Sequence, residues 1–355
     1  MALPELSITQ FAERLNREIL AKRIPLTGSI ELTHRCNLNC VHCYCNLPAG
    51  ERNAMSRELT TVELLHIYDQ IAEAGCFWLL ITGGEPLLRK DFQEAFAKAK
   101  QRGFILTLFT NGTLITPKTA DFLAEWRPYA IEITLYGATP ETYEKITRVP
   151  GSYEKCLRGI DLLLDRELPL ALKTMAMTLN RHEVFQIQTF ARDRGLKFRF
   201  DPVLNPRLDR SREPCKYRLS PEEVLALDLA DENRVKEWRE FCAAFSKPAD
   251  SNSLYICGAG ISTFHIDPYG RMSPCEMTRH QFFDLRSGLF REGWDDAFPR
   301  FLSVKAGDDY PCKSCDLISL CNQCPGWAWI ENGDPQTPVE HLCRIAHLRA
   351  RAFQR

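Results

Sequence analysis

Short apolar runs alternate along this chain with longer stretches in which apolar residues return every three or four positions. Six runs read as strands: 28–35 (GSIELTHR), 76–84 (CFWLLITGG), 104–112 (FILTLFTNG), 130–137 (AIEITLYG), 170–180 (LALKTMAMTLN) and 196–206 (LKFRFDPVLNP). Between them lie helix-spaced segments at 61–75, 90–103, 116–126, about 153–166 and 181–195. A helix-length crossover between successive strands predicts parallel pairing. Repeated units of this kind fold into a barrel or a doubly wound sheet.

Polar and glycine-rich residues close nearly every run (HRC, TGGEP, TNG, TLYG, TLN, DPVLN). That arrangement favours a barrel whose strand ends share one mouth. Six units fall short of eight, so the expected fold is α/β, a partial and open (β/α)6 barrel over 31–213. Residues 1–30 form a helical lead-in. Residues 214–253 form a helical linker, with Ser220 as a helix cap and Pro221 in the first turn. From 254 to 355 the chain is rich in turn residues and cysteine, with a hairpin signal at 263–275 and a helical tail from Val339.

Charge adds mainly exclusions. The 45 basic and 46 acidic residues leave a net charge of -1, which gives no footprint for nucleic acid or anionic lipid. No apolar run is long enough to span a bilayer, and the N-terminus reads as a charged amphipathic stretch rather than a signal peptide. A cytoplasmic enzyme with no membrane partner is expected.

Cysteine changes the picture most. Its 15 copies are an odd number, unlike a secreted disulfide framework. They crowd at 36–45 and again at 257–343, which marks two metal regions. Cys76, Cys156, Cys215 and Cys242 are scattered and read as small buried hydrophobes. In the first region Cys36-x3-Cys40-x2-Cys43 puts three thiolates in one loop. A four-iron cube ligated by three leaves one iron open to a chelating molecule. A structural zinc would want a fourth thiolate, and Cys45 is poorly spaced for it.

CNLNCVHC resembles the CxxxCxxC signature of the radical S-adenosylmethionine (SAM) superfamily, and it follows the first strand, as it does there. The resemblance implies a [4Fe–4S] cluster on Cys36, Cys40 and Cys43 whose open iron binds SAM, cleaved to a 5′-deoxyadenosyl radical. It places His42 near the adenine. ITGGEP resembles the family's GGEP motif, with Gly83 and Gly84 allowing close backbone approach to the methionine moiety. Glu85 would meet the amino group or order the loop. Asn111, Thr134 and Arg148 fall where relatives contact the ribose or carboxylate of SAM. Tyr136 replaces the acid of the family's S-x-D-G and is a candidate for substrate contact.

The second region reads Cys257-x17-Cys275, Cys312-x2-Cys315-x5-Cys321-x2-Cys324, then Cys343. Taken alone, 312–324 also suits a zinc ribbon. The whole is similar to the SPASM extension, which binds two auxiliary [4Fe–4S] clusters and so implies three cubes in all. Carried over, Cys257, Cys275 and Cys324 would hold the inner cluster, and Cys312, Cys315, Cys321 and Cys343 the outer. One residue is missing from the final gap. The fourth inner ligand stays open between Cys45, another side chain, water and substrate.

SPASM relatives often modify peptides, so the implied function is hydrogen abstraction from a ribosomally made peptide followed by oxidation or crosslinking. A separate leader-recognition protein and a low-potential donor such as flavodoxin or ferredoxin are the implied partners. Glu276, beside Cys275, resembles the base of anaerobic sulfatase-maturating enzymes, although the extra cysteine those relatives carry is missing at 258–261. Small-molecule dehydrogenation or rearrangement and sulfatase-type protein oxidation are the alternatives. A non-catalytic electron carrier has little use for the three-cysteine loop together with GGEP.

Overall fold

The computed structural model describes residues 8–45, 47–244, 252–318 and 320–353. The first seven residues of the lead-in and 245–251 of the linker lie outside the described residues. The six predicted strands form as β1 (Thr27–Glu31), β2 (Trp78–Thr82), β3 (Ile105–Thr110), β4 (Ala130–Thr134), β5 (Leu170–Met175) and β6 (Lys197–Asp201). They pair in parallel in sequence order, the expected partial barrel. Helices at Thr61–Glu73, Phe92–Gln101, Pro117–Glu125, Ser152–Leu164 and Val184–Arg192 fill the crossovers.

Strand alternation decides which side chains reach the interior. Ile30, Leu79, Ile81, Leu106, Leu108, Ile131 and Ile133 are fully buried beneath the helices. The residues between them, Glu31, Phe109, Glu132 and Thr134 among others, therefore face the lumen. The hairpin signal is also realised: β7 (Thr263–Ile266) and β8 (Arg271–Ser273) pair antiparallel, and β9 (Phe283–Asp284) adds to β8. Sequence reading did not foresee that β7 lies parallel to β1, so that one nine-stranded sheet runs from the barrel into the cysteine-rich region.

The linker forms helices at Pro221–Leu229 and Glu232–Ala244, and Ser220 caps the first in a reciprocal capping box with Glu223. The tail helix Glu340–Phe353 packs on both. Its Arg349 donates to Asp228, buried on the first linker helix, at 2.8 Å. Helices at Pro140–Thr147 and Pro325–Asn332 were not anticipated.

Candidate functional site

The first cysteine loop leaves β1 at the barrel mouth and is held largely by backbone. Asn39 N–H donates to Thr147 O and Val41 N–H to Ile146 O, both at 3.0 Å, so the end of helix Pro140–Thr147 braces it. Burial pushes the Cys36 thiol up to about 12, with smaller contributions from Glu85 and Cys43. Cys40 is raised by burial and then by the charges of Cys43 and Cys36. Cys36 and Cys40 each feel the charge of Cys43, so the three thiols are gathered closely enough to act on one another.

The GGEP segment serves the loop more directly than expected. A Cβ at Gly83 would collide with the carbonyl oxygen of Thr33, and one at Gly84 with that of Arg35. Gly84 N–H donates to Thr33 O at 2.7 Å and Glu85 N–H to Arg35 O at 2.9 Å. These glycines let two backbones meet just ahead of Cys36. Glu85 orders the same region. Its buried carboxylate accepts from Thr110 Oγ1 at 2.8 Å, Asn111 N at 2.8 Å and Leu87 N at 3.1 Å. Burial outweighs those bonds and lifts its pKa to about 7.

Asn111 also turns to the loop, donating to Asn37 Oδ1 at 2.9 Å and to Cys36 Sγ at 3.6 Å. His42 packs edge-on against Tyr136 at 4.8 Å between centroids. Its buried Nδ1 has no hydrogen-bond partner, and burial lowers its pKa to about 4. Tyr136 lies close to Cys40 and Thr134, beside the cysteine loop. Arg148 is exposed and left-handed (φ 56°), where it closes helix Pro140–Thr147.

The later cysteines separate into two groups. Cys312, Cys315, Cys321 and Cys343 line one small cavity. Cys275 and Cys324 are each raised mainly by burial, and each also feels the charge of Cys257. Cys45 lies with its Sγ 3.9 Å from Cys43 Sγ and shares a cavity wall with Ser273 and Met277 on either side of Cys275. Cys76, Cys156 and Cys242 are buried and Cys215 half-buried, matching the reading of scattered hydrophobes. Among the described residues, no three His, Cys, Asp or Glu side chains converge tightly enough for a single metal ion. A lone zinc gathers its thiolates to about 2.3 Å, whereas a cube takes them at separate corners. Four thiols around one cavity, Cys312, Cys315, Cys321 and Cys343, are the number a cube takes at its corners.

Sequence reading missed the charged lumen. Glu31 is fully buried, and its carboxylate accepts from Arg279, His34 Nε2 (2.8 Å), Tyr44 Oη (2.6 Å) and His265 Nε2 (3.3 Å). Coulombic contacts outweigh burial and hold its pKa well below the usual carboxylate range. Glu276 is half-exposed and stands 3.8 Å from Arg279 Nη2. The signal was available: charged residues in parallel strands, at positions between core apolar ones, have only the lumen to face. Beside this network a cavity of about 410 Å³ is walled by Tyr44, Cys45, Arg207–Arg210, Tyr269, Arg279, His280 and Trp329. His280 stacks on Trp329 at 4.7 Å.

Residues 30–191 match the family model described as Radical SAM superfamily. A Fe-coproporphyrin III synthase of Methanosarcina barkeri is 34% identical, over 82% of this chain and 80% of its own. Mycofactocin maturase MftC of Mycobacterium ulcerans is 29% identical, over 84% of this chain and 82% of its own. Among solved structures, Streptococcus suis SuiB bound to precursor peptide SuiA superposes with a TM-score of 0.70 at 16% identity, covering 95% of this chain and 82% of that one. The cysteine loop, the GGEP brace, the partial barrel and the cysteine-rich extension thus agree with whole-length relatives, and the chain belongs to the radical SAM superfamily, with a SPASM-like C-terminal region.

Proposed function

We propose that this chain oxidises or crosslinks a ribosomally made peptide between its first cysteine loop and the Cys275–Arg279 loop. The observation that carries this reading is the docking of the second loop. Arg279 ties it to Glu31 on β1, and Glu276 is left at the edge of the lumen, within the field of Lys173 and Tyr44. The maturase name of MftC and the peptide in the SuiB complex support the substrate class.

In this reading Cys36, Cys40 and Cys43 hold the SAM-binding [4Fe–4S] cluster. Cys257, Cys275 and Cys324 hold the inner auxiliary cluster, and Cys312, Cys315, Cys321 and Cys343 the outer. SAM bound at its cluster supplies a carbon-centred radical able to take hydrogen from an unactivated carbon. His42, Gly83, Gly84, Glu85, Asn111, Thr134 and Arg148 shape the SAM side, with Tyr136 packed behind His42 at the edge of the substrate space. Glu276 accepts the substrate proton at its carboxylate, oriented by Arg279. Burial around Tyr44 and Tyr136 excludes water. A leader-recognition protein, a flavodoxin or ferredoxin donor and a cytoplasmic setting belong to the same reading, as do the boundaries near 31, 214 and 254.

A second reading, action on a small carboxylated molecule, is favoured by the 34% relative and by the arginines along the cavity. Co-expression with each small peptide encoded beside this gene, followed by mass analysis, separates the two. Loss of two hydrogens supports oxidation or crosslinking. Unchanged mass with inverted chirality would replace it by epimerisation. Unmodified peptides, together with a shifted Soret band when coproporphyrin is titrated in, would favour the second reading.

A further inference from the structure

The lumen wall opposite Glu31 carries a charge cluster that the cysteine chemistry does not use. Lys173 on β5 pairs in register with Thr134 on β4 and with Arg199 on β6. Asn111 continues the same row, because Thr110 pairs with Ile133. The ammonium therefore stands at the height of the residues assigned to SAM, one strand farther around the barrel.

Its surroundings do not complete its charge. Lys173 Nζ lies 2.8 Å above the centroid of Phe109 and 3.4 Å from Glu132 Oε2. That same oxygen accepts from Arg199 Nη2 at only 2.6 Å. Lys173 and Arg199 thus share one carboxylate oxygen. Glu276, from the loop after Cys275, is a second acid whose field reaches Lys173. The side chain is only 17% exposed, and burial lowers its pKa to about 7 against the pull of Glu132. A buried cation with half a counter-ion favours an incoming anion.

We propose that Lys173, backed by Arg199, forms a carboxylate-binding subsite on the lumen wall. Glu132 positions the pair and keeps the two cations from repelling each other apart. In a peptide the ligand is an Asp or Glu side chain or a C-terminal carboxylate, an identity that rests on the peptide reading. The subsite itself does not. The methionyl carboxylate of SAM is the other source of the same chemistry.

Reactivity of the amine distinguishes these sources without turnover. The reconstituted holoenzyme is given trace acetic anhydride near neutral pH, digested, and the acetylation rate at Lys173 compared with that at exposed Lys216. A bound carboxylate both shields the amine and favours its unreactive ammonium form. With SAM present, glutarate is expected to slow labelling of Lys173 roughly tenfold at about ten times its dissociation constant, while uncharged glutaramide has no effect. R199M weakens that protection. If SAM alone protects and decarboxylated SAM does not, the subsite holds the cofactor's carboxylate. Equal effects of glutarate and glutaramide, or no protection by either glutarate or SAM, would overturn the assignment. Failure of the peptide mass assay with intact glutarate protection would reject only the peptide identity.

Discussion

Arg279 closes on Glu31 through two hydrogen bonds, Nη1 to Oε2 at 2.6 Å and Nη2 to Oε1 at 3.0 Å, across 248 positions of sequence. The pair joins the loop behind Cys275 to the strand that feeds Cys36. It therefore fixes one cysteine region against the other.

Removing one partner strands the other in a dry site. E31Q leaves the Arg279 guanidinium without its carboxylate and is expected to lower stability by about 3–5 kcal/mol. The double variant E31Q/R279M recovers part of that loss, because no uncompensated charge remains. Urea denaturation of the two proteins under anaerobic conditions gives the comparison. Equal stability of E31Q and the parent would show that the pair does not hold the regions together.

G84A tests the brace ahead of the first loop. Its added methyl meets the Arg35 carbonyl, a backbone group that cannot move without shifting the loop. Reconstituted G84A should bind about four fewer irons per chain than the parent, with the auxiliary content intact. Retention of full iron would mean that the loop tolerates the displacement.

Iron, acid-labile sulfide and zinc per chain test the cysteine groups themselves. About twelve irons and twelve sulfides with negligible zinc are expected. Cys321 shares a cavity with Cys312, Cys315 and Cys343, while Cys324 stands in the field of Cys275 and Cys257. C321S and C324S should therefore each lose about four irons, and the double variant about eight. A double variant no worse than either single would put both residues on one cluster. Four irons with bound zinc would sink the auxiliary clusters.

Lys173 predicts a pH dependence of stability with a definite sign. The folded protein releases this proton near pH 7, whereas an unfolded lysine keeps it to about 10.5. The unfolded chain thus binds more protons between those values, and stability rises with pH across that window. Glu132, Arg199 and Glu276 are the charged groups that tune the step. K173M should flatten it. Denaturation midpoints at pH 7 and pH 9 for both proteins provide the readout, and parallel curves would contradict the assignment.

Much of this is legible in the sequence. The alternation of runs marked all six barrel strands, and the spacing at Cys36 singled out the first loop. Residue type alone does not carry depth or partner. The sequence of Gly83 and Gly84 suggests close approach to a ligand, but they are also needed where two backbones meet. Glu31, Glu132 and Lys173 look like ordinary charged residues until register puts them on the inner face. Helix Pro140–Thr147 is short and polar, and its bracing of the cysteine loop uses backbone groups that leave no mark on residue type.

The pairing of β1 with β7 bears on how the protein is made. Ser29 and His265 face each other across that ladder, 236 positions apart. During synthesis, β1 emerges early and then waits for most of the chain before its second edge is covered. An open strand edge of that kind invites pairing with the wrong partner. Grafting the cysteine-rich region onto another barrel would have to reproduce a sheet edge as well as a linker.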